Sequence, residues 1–335
     1  MKIAIEQLGD SGVWYHRQYI PHKGMDVVWF KPGEPVPRGC DIVVKSSNTR
    51  PLSFPVNYTP KVVVDVDDYW SPPKHHLLYG SSRVNDWKSI KRANFNNADL
   101  ITCSTDALAW QISFLSDFTK DVEIKVLPNC IDTDKPQFQI NRQKQSVFTF
   151  GYVGGSTHLH DIREIRHALI KLRAERPGEF QFVYAGYDNR VEIRDAKGKL
   201  ISNAVNPHDQ ICDILKPEHV VNARPVQDYA QVYNFLDCAI APLERHRFNE
   251  CKSPLKFIEA AAFGVPVIAS DIHPFQNINN IVLCKNSIDW YRAMSAAIDG
   301  KLHNIGDKAK VEAEERFNYK LQREVRAQIY RRFIG

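Results

Sequence analysis

The stretch FNECKSPLKFIEAAAFGVPVIASD, residues 248–271, reads as a helix start, a helix, a stop and a buried strand in immediate succession. Ser253 has the character of an N-cap and Pro254 that of a first helical residue. That places Lys256 in the first turn and Glu259 three residues later on the same face. Gly264 supplies a stop after Phe263, and VPVIAS continues as a strand. Free N–H groups at a helix N-terminus, together with the helix dipole, attract a diphosphate. Lys256 adds a full charge beside them and Lys252 a second. One turn deeper, the Glu259 carboxylate can accept two hydrogen bonds from a vicinal diol such as a ribose. An amphipathic helix carrying an ordinary Lys–Glu surface pair has the same spacing.

Working outward, short Val/Ile-rich runs bounded by turn residues recur at 2–7, 26–30, 41–45, 61–66, 99–103 and 123–127. Such runs read as buried strands. Helical patterns lie between some of them, clearest at 83–97 and 105–115. Residues 132–146 are polar, lack a periodic apolar face and read as a linker. The same grammar then restarts, with strands at 147–153, 180–185, 219–223, 238–243, 265–269 and 281–285. Helices are expected at 161–175, 228–236, 254–263, 287–298 and 308–334. Alternation of this kind predicts parallel sheets covered by helices. It gives two α/β, Rossmann-like domains, at 1–138 and 145–317. Ligands of such sheets bind outside the carboxyl ends of the strands, so two facing halves make a cleft.

Three further constellations fall at strand ends. In FTFGYVGGSTHLHDIREI (148–165), Gly154 and Gly155 let backbone approach a ligand closely, Ser156 follows them, and Asp161 with Glu164 fits a capping box. His158 and His160 lack a third metal ligand at sensible spacing. In VVVDVDDYW (62–70), Asp65, Asp67 and Asp68 follow a strand and should face the cleft. Asp67 and Asp68 are both candidates for an acid acting on a sugar, with turn chemistry as the plain alternative. In LGDSGVWYHR (8–17), Gly9 and Gly12 fit a tight loop, and His16 and Arg17 are near enough to reach the cleft. Ser104-Thr105 reads as an N-cap and Asn129 as a turn residue.

These residues carry a resemblance. N-x-x-K-S-P-x-K-F-x-E-A-A-x-x-G-V-P-V-I-A-S resembles the nucleotide-binding segment of family 4-like glycosyltransferases of the GT-B fold. DVDD followed by an aromatic resembles a compact subset of them, also found in phages. The resemblance implies a C-terminal helix, about 318–335, crossing back to the N-domain. It implies Glu259 as the ribose residue, Lys256 as a phosphate residue, and Asn249, Lys252, Ser253, Pro254 and Leu255 as neighbours of the donor. The Gly9/Gly12 loop would close over that donor. The family's second Glu, eight positions before the ribose Glu, is Cys251 here, with Glu250 beside it. Where many members have an Arg after the glycines, this chain has Ser156, Thr157, His158 and His160. D-x-D triplets bind a metal in a different glycosyltransferase fold, whose pattern the surrounding sequence lacks.

The bulk numbers agree. The chain has 335 residues, 43% hydrophobic and 25% charged, enough for two cores. No run approaches the roughly 18 apolar residues of a membrane span, and MKIAIEQLGD has no signal-peptide core. Seven cysteines without a C-x-x-C pair read as reduced thiols of a cytoplasmic protein. A net charge of +5 suits a phosphate-bearing partner without demanding nucleic acid. A nicotinamide dehydrogenase needs G-x-G-x-x-G after a strand, which neither glycine loop supplies. The expectation is a glycosyltransferase moving a hexosyl or pentosyl group from a UDP- or GDP-sugar to an acceptor hydroxyl. Retention and independence of metal follow from the resemblance, and no cofactor is expected beyond the nucleotide sugar. The acceptor is open among glycan, lipid-linked sugar and modified DNA base. A nucleotide-sugar epimerase and a non-catalytic sugar-nucleotide or nucleic-acid binding protein are the alternatives.

Overall fold

The structure, a computed structural model, describes residues 1–9, 14–77, 79, 82–115, 121–143, 145–190 and 205–335. Six strands form the first sheet: β1 (Lys2–Glu6), β2 (Asp26–Phe30), β3 (Ile42–Ser46), β4 (Lys61–Val66), β5 (Leu100–Cys103) and β6 (Glu123–Val126). Their order is β2-β1-β3-β4-β5-β6. Six more form the second: β7 (Phe148–Val153), β8 (Phe180–Tyr187), β9 (His219–Asn222), β10 (Cys238–Ala241), β11 (Val267–Ser270) and β12 (Val282–Cys284). Their order is β12-β11-β10-β7-β8-β9. Every pairing is parallel. Parallel sheets are covered on both faces, and so Ile3, Val44, Val63 and Ile101 in one sheet and Phe150, Ile240 and Ile268 in the other are buried.

In the second sheet the strand order reverses between β7 and β10. The loops leaving these two strands therefore diverge and open a crevice. Residues 154–158 and 242–253 are those loops. Across the cleft stand the segments that follow β4 and β6.

The C-terminal crossing is real but has a break. The expected helix over 308–334 is two helices, His303–Phe317 and Tyr319–Ile334. Asn318 is extended between them, bridges to Ile131, and accepts the Lys320 N–H as the N-cap of the second. That second helix packs Tyr330 among Ile3, Ile5 and Ile42 of the first domain. The helix expected over 161–175 is likewise two, Leu159–Arg163 and Arg166–Glu175, interrupted where Ile162 and Ile165 both turn into the core. The first half of the expected linker is pinned rather than loose: Phe138 is buried in the second domain's core and Asp132 meets Lys23 at 2.7 Å.

Candidate active site

The helix of the deciding segment runs Leu255–Ala262, starting one residue later than its sequence suggests. Pro254 occupies the cap and no side chain caps it. The Ser253 hydroxyl is instead engaged across the cleft, accepting from Asn129 Nδ2 at 2.8 Å. The first-turn N–H groups thus keep no side-chain acceptor of their own. Gly264, at φ +68°, ends the helix in a conformation that favours glycine.

Lys256 Nζ donates to the Val153 carbonyl at 2.6 Å, tying the helix start to the end of β7. The ammonium also lies over the Tyr152 ring, 5.0 Å from its centroid. Burial pushes Lys256 down to about 8, against the pull of Glu259. Gly154 is required at this point: a Cβ there would stand 2.6 Å from both Lys256 Nζ and Tyr152 Oη. At Gly155 a Cβ would meet nothing within 4 Å, so this residue leaves room rather than relieving a clash.

Glu259 is buried, 5% exposed. Tyr229 donates a short hydrogen bond to Oε1 and Tyr233 donates to Oε2 at 3.0 Å. Burial raises its carboxyl, while Tyr229, Lys256 and Tyr233 oppose. Each oxygen keeps lone-pair capacity for a ligand hydroxyl. The two tyrosines fix the carboxylate's orientation.

Asp67 and Asp68 stand on the opposite wall. Burial and the charge of Asp68 hold the Asp67 carboxyl well above the usual carboxylate range. Burial raises Asp68 too, with Lys252 and Lys91 opposing. Asp65 does something different. It accepts from Arg17 twice, from Gln18 at 2.8 Å and from Thr102 at 2.6 Å. Burial works against its charge, but Arg17 holds it below the usual range. Asp65 is thus the anchor beneath the loop, and Asp67 and Asp68 are its cavity-lining members.

One cavity of about 530 Å³ gathers these groups. It is lined by Asp67, Asp68, Gly154, Gly155, Lys252, Ser253, Leu255, Lys256 and Glu259 among the residues singled out from sequence. Gly9, Ser156 and Pro254 are not on its wall. Gly12 lies outside the described residues. Asn249 sits beneath the cavity, its Nδ2 donating to Asp161 Oδ1 at 2.7 Å and to the Glu244 carbonyl. Cys251 turns away from it, buried in the first domain's cluster with Val64 and Trp70, and its carbonyl accepts from Thr105 at 2.9 Å. Losing the family's Glu here exchanges a polar group for an apolar contact between the domains. Asp161 is not a helix cap. It accepts from Asn249, from the Glu244 N–H and from His158.

Sequence reasoning missed four residues. Tyr229 and Tyr233 hold Glu259. His76, which lines the cavity with its ring 4.9 Å from Phe248, is pushed down to about 4 by burial and stays neutral. Asn129, read as a turn residue, bridges Arg17 and Ser253. The segment expected as a helix at 228–236 is a 3₁₀ helix, Tyr229–Phe235, and nothing local in it tied the two tyrosines to Glu259.

Residues 147–300 match the family described as Glycosyl transferases group 1. The match takes in most of the second domain. The matched residues contain the helix, glycine loop and Glu259 described above. A Bacillus subtilis (strain 168) protein, TuaH, named as a glycosyltransferase of teichuronic acid biosynthesis, is 22% identical over 225 residues. The match covers 63% of this chain and 51% of that protein, so the chain spans about half the length of its relative. Sucrose-phosphate synthase from Thermosynechococcus elongatus superposes with a TM-score of 0.68 at 13% identity, covering 99% of this chain and 98% of that one. Anabaena Alr3699/HepE, solved with UDP-glucose, gives 0.62 at 14%, covering 98% and 99%. These likenesses establish the GT-B fold across the whole chain.

Proposed function

We propose that the chain transfers a sugar from a nucleoside-diphosphate donor to an acceptor hydroxyl. The observation that carries this is the convergence, on one cavity, of an uncapped helix start, Lys252 and Lys256, a glycine loop and a clamped buried carboxylate at Glu259. The first three suit a diphosphate and the last a ribose. The likeness to a structure solved with UDP-glucose supports a uridine donor, with a guanine donor as the alternative.

In this reading the bond from the anomeric carbon to the diphosphate breaks and its electron pair leaves with the diphosphate. Lys252, Lys256 and the helix N–H groups offset the charge that gathers there. A new bond forms from the acceptor oxygen, whose proton passes to Asp68. Burial raises both carboxyls, so the pair holds a proton between them, and in this reading Asp68 is the member that takes up the acceptor's proton. Retention of configuration, carried by the family resemblance, requires the acceptor oxygen to attack on the face from which the diphosphate leaves; that course and transfer without a metal belong to the same proposal. The acceptor is to be found by screening glycans, lipid-linked sugars and modified DNA.

The test is release of nucleoside diphosphate from UDP-glucose and GDP-mannose, with and without those acceptors, by the wild type and by Asp68→Asn. Acceptor-stimulated release that drops at least about a hundredfold in the variant, within the usual range of general-base effects, is the expected result. Binding of a nucleotide sugar with no turnover on any acceptor would favour the non-catalytic reading.

A further inference from the structure

His158, on the wall of the cavity, forms a dyad with the buried Asp161 that the proposed reaction has not used. His158 Nδ1 lies 2.6 Å from Asp161 Oδ2. Burial works against the charge of Asp161, but the His158 hydrogen bond, Lys252 and the Glu244 N–H outweigh it and keep the carboxyl well below the usual range. A carboxylate held ionised only accepts. The proton of the hydrogen bond must therefore sit on Nδ1. In a neutral imidazole that leaves Nε2 with a lone pair.

The imidazole is neutral. Burial, then Lys252 and Lys256, push His158 down to about 3 despite Asp161. Tyr152, its ring centroid 6.5 Å away, is uncharged because burial raises its phenol. Nε2 has no hydrogen-bond partner among the described residues, and His158 lines the cavity. The acceptor it offers repels a diphosphate, which at neutral pH carries only lone pairs. What it demands is an O–H donor.

Position decides which hydroxyl. Two residues on from His158, the His160 ring centroid lies 4.3 Å from that of His75 on the far wall, and the next residue there, His76, lines the cavity with His158. His158 thus stands at the far-wall end of the glycine loop, where the proposed reaction brings the sugar to Asp68. We propose that His158, oriented by Asp161, is a specificity residue that accepts a hydrogen bond from a hydroxyl of the transferred sugar. A site built around a hydroxyl rejects the analogue lacking it, because the buried acceptor is then left unpaired.

This proposal rests on the donor reading above, and its test separates the two. His158→Asn keeps an N–H donor near Asp161 while removing the Nε2 acceptor; His158→Gln places an amide oxygen near the lost Nε2. Binding of UDP-glucose and its 2-, 3-, 4- and 6-deoxyfluoro analogues is measured by titration calorimetry for each protein, or GDP-mannose and its analogues if guanine proves to be the base. In the wild type one analogue should bind about 10- to 100-fold more weakly than its parent. In His158→Asn the parent should fall to that analogue's affinity, with the analogue itself changed less than threefold, and His158→Gln should recover part of the difference. Unchanged discrimination in His158→Asn, or no discrimination in the wild type, overturns the role of His158 while leaving the donor site standing. No binding of any nucleotide sugar by the wild type overturns the donor reading and this proposal with it.

Discussion

Glu259 and Lys256 carry opposite duties, and each has a test of its own. Removing the Glu259 carboxylate should cost about 1.5–3 kcal/mol of donor binding, the worth of hydrogen bonds to a charged group. Glu259→Ala should therefore raise the dissociation constant for a nucleotide sugar about 10- to 100-fold by calorimetry, and an unchanged constant would remove Glu259 from the site. For Lys256 the readout is pH. Its ammonium, brought down to about 8, is charged and able to meet a diphosphate below that value and increasingly neutral above it. Donor affinity should be level up to about pH 7.5 and decline from about pH 8. Lys256→Ala should bind more weakly throughout and lose that decline; a decline that persists in the variant would place the titrating group elsewhere. The effect on folding runs the other way. Between about 8 and the ordinary value of 10.5 the unfolded chain holds this proton and the folded one does not, so this group's contribution to stability rises with pH there. Both residues were legible in the sequence because one helix sets their spacing. Tyr229, Tyr233, His76 and Asn129 were not, because they belong to three segments outside the deciding stretch and only the assembled fold brings them together.

Among the elements, the strands were the most legible. Parallel strands buried on both faces must be continuous apolar runs, and those at 26–30 and 61–66 coincide with β2 and β4. Helix ends were less so. Asn318 breaks the C-terminal pair because it serves both as a bridge to Ile131 and as a cap, and the bridge partner is remote in sequence. Close approaches between elements were invisible. Gly306, on the helix His303–Phe317, would with a Cβ stand 2.1 Å from the Gly264 carbonyl. Gly306→Ala should destabilise the protein by about 1–3 kcal/mol through overpacking, read as a lowered urea midpoint with unchanged m; an unaltered midpoint would mean the helices can part without cost. Gly154→Ala probes the other close approach. It should displace Lys256 and depress turnover, and it should also lower stability by about 1–3 kcal/mol, because the clash falls on the buried Tyr152 ring as well as on the flexible Lys256.

At the scale of the molecule, the two domains are joined through polar contacts that surround the cavity. Thr105 meets Cys251, Asn129 meets Ser253, His16 Nε2 lies 3.0 Å from the Tyr229 hydroxyl, and His75 contacts Glu244 at 2.6 Å. Beneath them the buried Arg17–Asp65 pair fixes the loop bearing Asp67 and Asp68. Breaking such a pair on one side leaves an unpaired buried charge, so Arg17→Met should cost about 3–5 kcal/mol, measured by equilibrium unfolding; a loss under 1 kcal/mol would show that the loop holds without it. The two-domain plan was legible in the restart of strand–helix grammar after residue 146. The cleft's internal wiring was not, since it depends on side chains more than a hundred residues apart. The central claim is that this wiring surrounds a nucleotide-sugar site. Its most direct test is the melting temperature of the whole chain with UDP, GDP, CMP and their sugar conjugates. One nucleoside diphosphate and its sugars, at about 100 times the dissociation constant, should add about 2.7 kcal/mol and several degrees, and Glu259→Ala should lose most of that shift. No shift with any nucleotide, or a full shift in Glu259→Ala, would contradict the account.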